Sequence, residues 1–364
     1  MNRRLLYLAG QLRPGGQERQ LCYLLQGMDR ERYRPAVAVW SFRENDEYVP
    51  QIRALGVPIY SLGPTRNIPA KLSSFRRLVA HLKPEVVHSY CFWTNFAAHW
   101  ATLGRQAVPF GSMRGDFHLE KQTFGPWLGR VGCYWPRNHI FNSFAAAENA
   151  RCSKSVFVPG QIYVVRNGLD LDRFCKAPLP TAERACILAA GSLEPIKRWD
   201  KLITAAVELK RRGLDFLLQI AGDGSLQASL KQQTEKLGLS GYVEFIGHSS
   251  NVPKLLADAI FLAHSSDTEG CPNVVMEAMA CGRAVVATGV GDVPDLVEDG
   301  KTGFVVRRTD DAMLVECIVK LITDRDLCRR MGEAGRAKAE REFGLDRLVG
   351  ETLAAYRGAG WKEC

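Results

Sequence analysis

Ser265-Ser266-Asp267-Thr268-Glu269-Gly270-Cys271-Pro272-Asn273-Val274-Val275-Met276-Glu277-Ala278-Met279-Ala280-Cys281-Gly282 follows the short apolar run Ile260–His264. The run reads as a strand, the polar stretch as a loop, and Pro272 as the opening of a helix that stops near Gly282. A helix that starts just beyond a strand offers free N–H groups and the positive end of its dipole to an anion. Glu277 lies about one turn into that helix, where side chains lean back toward the N-terminus, so its carboxylate reaches the same place. Glu269 faces it from the loop. Two carboxylates around a helix N-terminus suit a ligand with a phosphate for the amides and hydroxyls for the acids. Capping and surface roles for the same two acids compete with that reading.

Outward from this unit, the pattern of short apolar run, turn and longer helical segment continues to both ends. Strands are expected at Leu5–Ala9, Ala36–Trp40, Val57–Ser61, Val86–His88, Val108–Ser112, His139–Asn142 and Tyr163–Arg166, and again at Ala185–Ala190, Phe216–Ala221, Val243–Ile246, Ile260–His264, Ala284–Ala287 and Gly303–Val306. That is βαβ alternation, and it predicts an α/β chain with parallel sheets in two Rossmann-like domains that face each other. Lys176–Glu183 holds two prolines and no periodicity, which suits a linker. The expected division is 1–175, 176–345 and a last helix within 346–364, Asp346–Arg357, that packs back on the first domain. Open parallel sheets bind ligands beyond the carboxyl ends of their strands, and the segments discussed below follow strands.

Length and composition fit two globular domains: 364 residues, 46% hydrophobic and 24% charged. Apolar runs such as Ala284–Ala287 are far short of the roughly 18 residues of a membrane span. The opening Met1–Gly10 has a basic start but too short an apolar run for a signal peptide, and is read as a strand. Eleven cysteines without a Cys-x-x-Cys pair point to reduced thiols in the cytoplasm rather than to disulfides or zinc. The net charge of +9 is uneven. Residues 1–170 carry 22 Lys+Arg against 11 Asp+Glu, net +11, and residues 171–364 carry 26 against 28, net −2. A basic first half predicts an anionic partner there, such as a membrane surface or an acidic acceptor.

Glu269 and Glu277, with Gly270-Cys271-Pro272-Asn273 between them and Ala278-Met279-Ala280-Cys281-Gly282 after, resemble the signature of glycosyltransferase family 4. Other segments resemble the same family in the same order. Gly15-Gly16-Gln17-Glu18 is similar to its glycine-rich donor loop. Gly191-Ser192-Leu193-Glu194-Pro195-Ile196-Lys197 is similar to its Gly-Arg-Leu-x-x-x-Lys element, Asn167-Gly168-Leu169-Asp170 to its junction element, and Gly222-Asp223-Gly224 to a turn of its second domain. There are two departures. Ser192 stands where the family has Arg, with Arg198 as the neighbouring substitute cation, and Arg114 stands where it has His, with Asp116 and His118 as local alternatives.

The resemblance implies the GT-B architecture and a retaining transfer of a hexosyl or N-acetylhexosaminyl group from a nucleotide diphosphate sugar, with no metal or other cofactor. Lys197, the helix N-terminus at Pro272-Asn273-Val274 and the Gly15-Gly16 backbone are then assigned to the diphosphate. Ser192, Arg198, Gly270 and Cys271 complete the donor site, Glu269 takes the sugar and Glu277 the ribose. Glu269, Lys197, Arg114 and Asp116 are the catalytic candidates. The acceptor is expected to be lipid-linked or an envelope glycan, in polysaccharide biosynthesis at the inner face of the membrane, with no nucleic-acid partner. The segment Arg66–Lys83 adds a local cause: Leu72, Phe75, Leu78, Val79 and Leu82 form an apolar stripe read as packing on the sheet, with Lys71, Arg76, Arg77 and Lys83 expected to remain outside as the membrane contact. A nucleotide-sugar epimerase of the same architecture and a non-catalytic sugar-nucleotide-binding module are the alternatives.

Weaker motifs are read as structure. Asp170-Leu171-Asp172 is taken as a turn rather than a metal motif, and Gly300-Lys301-Thr302 lacks the P-loop's first glycine, which is Asp295 here. Gly222-Asp223-Gly224 has Gln227 in place of the third glycine of a dinucleotide fingerprint. His88 and Tyr90-Cys91-Phe92-Trp93 read as packing, with an acceptor role for His88 left open.

Overall fold

The computed structural model describes residues 3–123, 125–249 and 251–363. The chain divides into two compact units, one formed by Met1–Gly168 with Leu345–Cys364 and the other by Leu169–Gly344. Each is built on one parallel sheet. In the first unit the strands are β1 (Arg3–Ala9), β2 (Tyr33–Val39), β3 (Ile59–Ser61), β4 (Val86–Ser89), β5 (Val108–Met113), β6 (Asn138–Phe141) and β7 (Gln161–Val164), in the order β3-β2-β1-β4-β5-β6-β7. The second unit has β8 (Ala185–Ala190), β9 (Phe216–Ala221), β10 (Val243–Gly247), β11 (Phe261–His264), β12 (Ala284–Thr288) and β13 (Gly303–Val306), in the order β10-β9-β8-β11-β12-β13. Every expected strand is present. The α/β class with parallel sheets therefore follows from the alternation, as read.

Strand order reverses once in each sheet, between β1 and β4 and between β8 and β11. Helices pulled to opposite faces leave a crevice at such a point, beyond the carboxyl ends. The cores lie between sheet and helices. Leu6, Leu8, Phe75 and Val79 pack in one cluster of the first unit, and Ile187, Leu218, Phe261 and Val286 in the second unit.

The helix Leu345–Gly358 belongs to the first unit. Tyr356 is fully buried there, and Arg347 Nη2 donates to the carbonyls of Arg166 (3.1 Å) and Asn167 (2.5 Å).

Two expectations need correction. Lys176–Glu183 is not the boundary between units but part of the second one. Arg283, only 1% exposed, donates to the carbonyls of Ala177 (2.9 Å) and Pro178 (2.8 Å), and also to those of Leu256, Ala257 and Gly282. A buried guanidinium that meets five carbonyls fixes the proline-rich stretch to the fold. Arg283→Met is expected to destabilise the protein by on the order of 3–5 kcal/mol, because several buried acceptors lose their donor at once; urea unfolding measures it. The second correction concerns the basic residues of the helix Ile68–Leu82. Phe75 and Val79 of its stripe are core, as read, but Lys71 is buried with its ammonium on the Trp40 carbonyl, and Arg76 donates to the carbonyls of Trp100 (2.7 Å) and Leu103 (3.1 Å). Of the basic residues from Lys71 onward, that leaves Arg77 and Lys83 on the outside.

Candidate active site

The loops after β8 and β11 flank the strand-order reversal of the second unit, and they are tied together. Asp267 N donates to Ile196 O (2.9 Å), and Ser265 Oγ donates to the carbonyls of Lys197 and Arg198, both at 3.0 Å. Pro195–Lys197 makes one 3-10 turn, and Arg198 at φ 50 turns the chain into the helix Trp199–Arg211. Behind the first loop, Gly222 and Gly224 let another turn approach: a Cβ on Gly222 would fall 1.9 Å from Gly191 O, and one on Gly224 2.6 Å from Leu193 backbone. This explains Gly222-Asp223-Gly224 as a backbone support. Ser192 is exposed, with its carbonyl held by Trp199 Nε1 at 3.0 Å.

Lys197 and Glu269 meet. The ammonium of Lys197 pairs with Glu269 Oε1, which also accepts from Ser266 Oγ (2.6 Å) and lies 3.0 Å from His264 Nε2. The Glu269 side chain is 11% exposed. Burial by itself would raise its carboxyl, but the hydrogen bond and charge of His264, with the charge and hydrogen bond of Lys197, hold it well below the usual carboxylate range. Glu269 is therefore anionic at neutral pH. Its stabilising share is fully present above the unfolded pKa of about 4.3 and is lost as pH falls further. The stability gap between wild type and Glu269→Gln is thus expected to be widest near neutrality and to close in acid, as measured by urea unfolding across pH.

Arg198 does not join them. Its guanidinium pairs with Asp200 (2.8 Å) and Asp267 (3.0 Å) and so joins the two loops. Beyond Glu269 the backbone closes tightly on Gly291, at φ 53, where a Cβ would lie 2.4 Å from Glu269 O; Gly270 O accepts from Asp292 N at 2.9 Å. Cys271 turns its thiol to Met276 Sδ. The helix Asn273–Ala280 then begins after Pro272, which has no side-chain acceptor to cap it. Asn273 and Val274 are half-buried at this end, and Glu277 is 2% exposed one turn on. Asp170 Oδ1 accepts from the N–H groups of Asp172 (3.1 Å) and Arg173 (3.0 Å), the geometry of a turn.

In the first unit Gly15 precedes the helix Gly16–Gln26, and the Glu18 carboxylate folds back against it: a Cβ on Gly15 would meet Glu18 Oε2 at 2.2 Å. Gln20 holds both backbone groups of Gly168, each at 2.8 Å. Arg114, after β5, lies 4.0 Å over the Tyr90 ring, and its Nε is shielded with no hydrogen-bond partner among the described residues. Asp116 Oδ1 accepts from the N–H groups of His118 (3.0 Å) and Leu119 (2.9 Å), which makes it the cap of the helix Phe117–Thr123. His118 is exposed. His88 is 1% exposed, with Nδ1 on Tyr356 Oη (2.7 Å) and Nε2 on Ser112 Oγ (2.9 Å), so both nitrogens serve packing.

Two family profiles match this chain: Glycosyltransferase Family 4 over residues 14–173, and Glycosyl transferases group 1 over residues 174–338. The chain is also 30% identical over 328 residues to the GDP-mannose-dependent alpha-(1-6)-phosphatidylinositol monomannoside mannosyltransferase of Mycobacterium tuberculosis, covering 81% of this chain and 80% of that enzyme. It belongs to the group 1 glycosyltransferases. Against the N-acetyl-alpha-D-glucosaminyl L-malate synthase of Bacillus anthracis it is 26% identical over 200 residues, 55% of this chain and about half (51%) of that enzyme's length. Anabaena HepE, solved in complex with UDP and glucose, shares the fold with a TM-score of 0.80 at 21% identity, over 96% of this chain and 99% of that one.

For this glycosyltransferase, three residues near the motifs escaped the sequence reading. His264 and Ser266 complete the surroundings of Glu269; a histidine ending a strand just before the loop was the available signal. Glu120 is the third. Its carboxyl, which accepts the N–H groups of Arg114 and Gly115, is pushed up to about 7 by burial despite those bonds.

Proposed function

We propose that this glycosyltransferase moves a hexosyl or N-acetylhexosaminyl group from a nucleotide diphosphate sugar with retention at the anomeric carbon and without a divalent metal, the second unit taking the donor. The pairing of Lys197 with Glu269 at the strand-order reversal carries this reading. The transfer needs the departing diphosphate's charge stabilised while positive charge builds on the sugar carbon. Lys197 and the N-terminus at Pro272–Val274, which has no side-chain cap, supply fixed positive potential for the first, and the anionic Glu269 is assigned to the sugar's hydroxyls. Incubation with a panel of sugar nucleotides and an acceptor extract, in EDTA, tests it. Nucleoside diphosphate release with a retained anomer supports the proposal, whereas epimerised donor, or activity lost to EDTA and restored by manganese, contradicts it.

The proposed acceptor is lipid-linked or an envelope glycan, and the first unit is proposed to meet an anionic bilayer. A relative named for a phosphatidylinositol monomannoside acceptor and the net charge of +11 on residues 1–170 support this. Among the described residues no helix is long and apolar enough to cross a membrane. With the stripe of Ile68–Leu82 buried, the apolar contact passes to the helix Gly125–Tyr134, where Trp127 and Leu128 are 74% and 65% exposed near the basic Arg130. At about 1 kcal/mol per basic residue close to anionic lipid, binding should be reversible and salt-sensitive. Co-sedimentation with anionic but not neutral vesicles, weakened by salt and by Trp127→Ser with Leu128→Ser, is the expected result; no sedimentation at low salt would favour an acceptor in solution.

A further inference from the structure

At the end of the first unit's sheet opposite to the β1–β4 carboxyl ends lies a cavity of about 660 Å³. The amino-terminal halves of β1 and β2, the turn before β3 and the end of the helix Ile68–Leu82 enclose it. Its volume falls in the range of about 300–1,000 Å³ typical of small-ligand sites. Much of the wall is apolar, with Leu6, Tyr60 and Leu82 among it, and three arginines, Arg4, Arg30 and Arg34, complete it. None of the described residues that line it is acidic.

Two acids that contact residues beside the wall are already engaged. Glu85 pairs with Arg3 (2.9 Å) and accepts from Trp361 Nε1 (3.0 Å), and Glu363 takes Tyr33, Arg32 and Arg357. Two arginines of the wall are less well supplied. Arg4 has no ion-pair or side-chain hydrogen-bond partner among the described residues. Arg30 gives Nη2 to the Leu25 carbonyl, but its Nη1 is shielded from solvent with no acceptor among the described residues. A guanidinium N–H buried without an acceptor is costly, and an anionic oxygen in the cavity would satisfy it.

We infer that this cavity binds an anionic amphiphile, an apolar chain that ends in a phosphate or carboxylate, with the chain against Leu6, Tyr60 and Leu82 and the head on Arg4 and Arg30. The site is separate from the strand-order reversals and does not depend on the proposed transfer. Neither half of such a ligand suffices alone. Apolar area without charge leaves Arg30 unsatisfied, and a bare anion leaves the wall wet.

Calorimetric titration of the full chain with monomeric dodecyl phosphate tests this, beside dodecyl maltoside and inorganic phosphate. Saturable one-to-one binding of dodecyl phosphate is expected, about tenfold or more tighter than either control, and weakened about tenfold by Arg30→Gln, the scale of one charge-assisted hydrogen bond. Arg4→Gln, at an exposed side chain, should weaken it in the same direction and covers the case in which Arg30→Gln does not fold. Equal binding of dodecyl maltoside would reduce the cavity to an apolar groove, and equal binding of phosphate to a plain anion site. Either result overturns the proposal, as do wild-type affinity in both variants, displacement by UDP, or binding to phosphatidic acid vesicles without binding of the monomer.

Discussion

Lys197→Ala is expected to lower turnover by about 10²–10³, the scale for removing one preorganised group that stabilises developing charge. Its geometry is unusually committed. The ammonium is held on Glu269 by a loop that Ser265 and Asp267 tie to its neighbour, so it needs no reorganisation to face a charge at this end of the sheet. At the two positions nearest to it in the motif, Ser192 carries no charge and Arg198 is engaged by Asp200 and Asp267. Loss of Lys197 also removes a charged partner of Glu269, which lowers stability as well as turnover. Two controls separate the effects. Lys197→Arg should recover part of the turnover at unchanged loop geometry, and the melting temperature of Lys197→Ala should fall far less than its activity. Turnover within threefold of wild type would remove Lys197 from the chemistry.

The chain displays much of this in its sequence, for physical reasons. Strands buried on both faces are short apolar runs, and glycines mark where they stop, so each strand was legible to within a few residues. β2 is the largest slip: it begins at Tyr33 rather than Ala36, because Pro35 reads as a breaker although it sits inside the strand. The linker was misread for a related reason. Two prolines and missing periodicity look like a tether, while what fixes Lys176–Glu183 is Arg283, far along the chain and chosen by the fold. In the site, Lys197 and Glu269 were visible as motif residues, but their partner His264 read as the end of a buried strand. The direction of Arg198 depends on a left-handed backbone at φ 50, which an arginine does not announce. The stripe of Ile68–Leu82 was legible, yet the inward turn of Lys71 onto Trp40 was not, because a lysine at that spacing ordinarily faces water.

The pair Glu269 and Glu277 supports a second large effect. Glu277→Gln is expected to weaken nucleoside diphosphate binding by about 10–100-fold, since a carboxylate accepting from ribose hydroxyls makes charge-assisted bonds and an amide makes weaker ones with half the acceptor capacity. The residue is 2% exposed, about one turn into the helix Asn273–Ala280, whose N-terminus has no side-chain cap. Glu269 differs in its surroundings. It already accepts from Ser266 and pairs with Lys197 and His264, and its negative charge is balanced before any donor arrives. Glu269→Gln should therefore leave free nucleoside diphosphate within about threefold of wild type and act on the complete sugar nucleotide instead, where the hydroxyls of the sugar are lost as partners. Calorimetric titration of both variants with the diphosphate alone and with the sugar nucleotide measures the difference. Equal losses for the bare diphosphate in both variants would sink the division of labour between the two carboxylates and return Glu277 to a structural role in its helix.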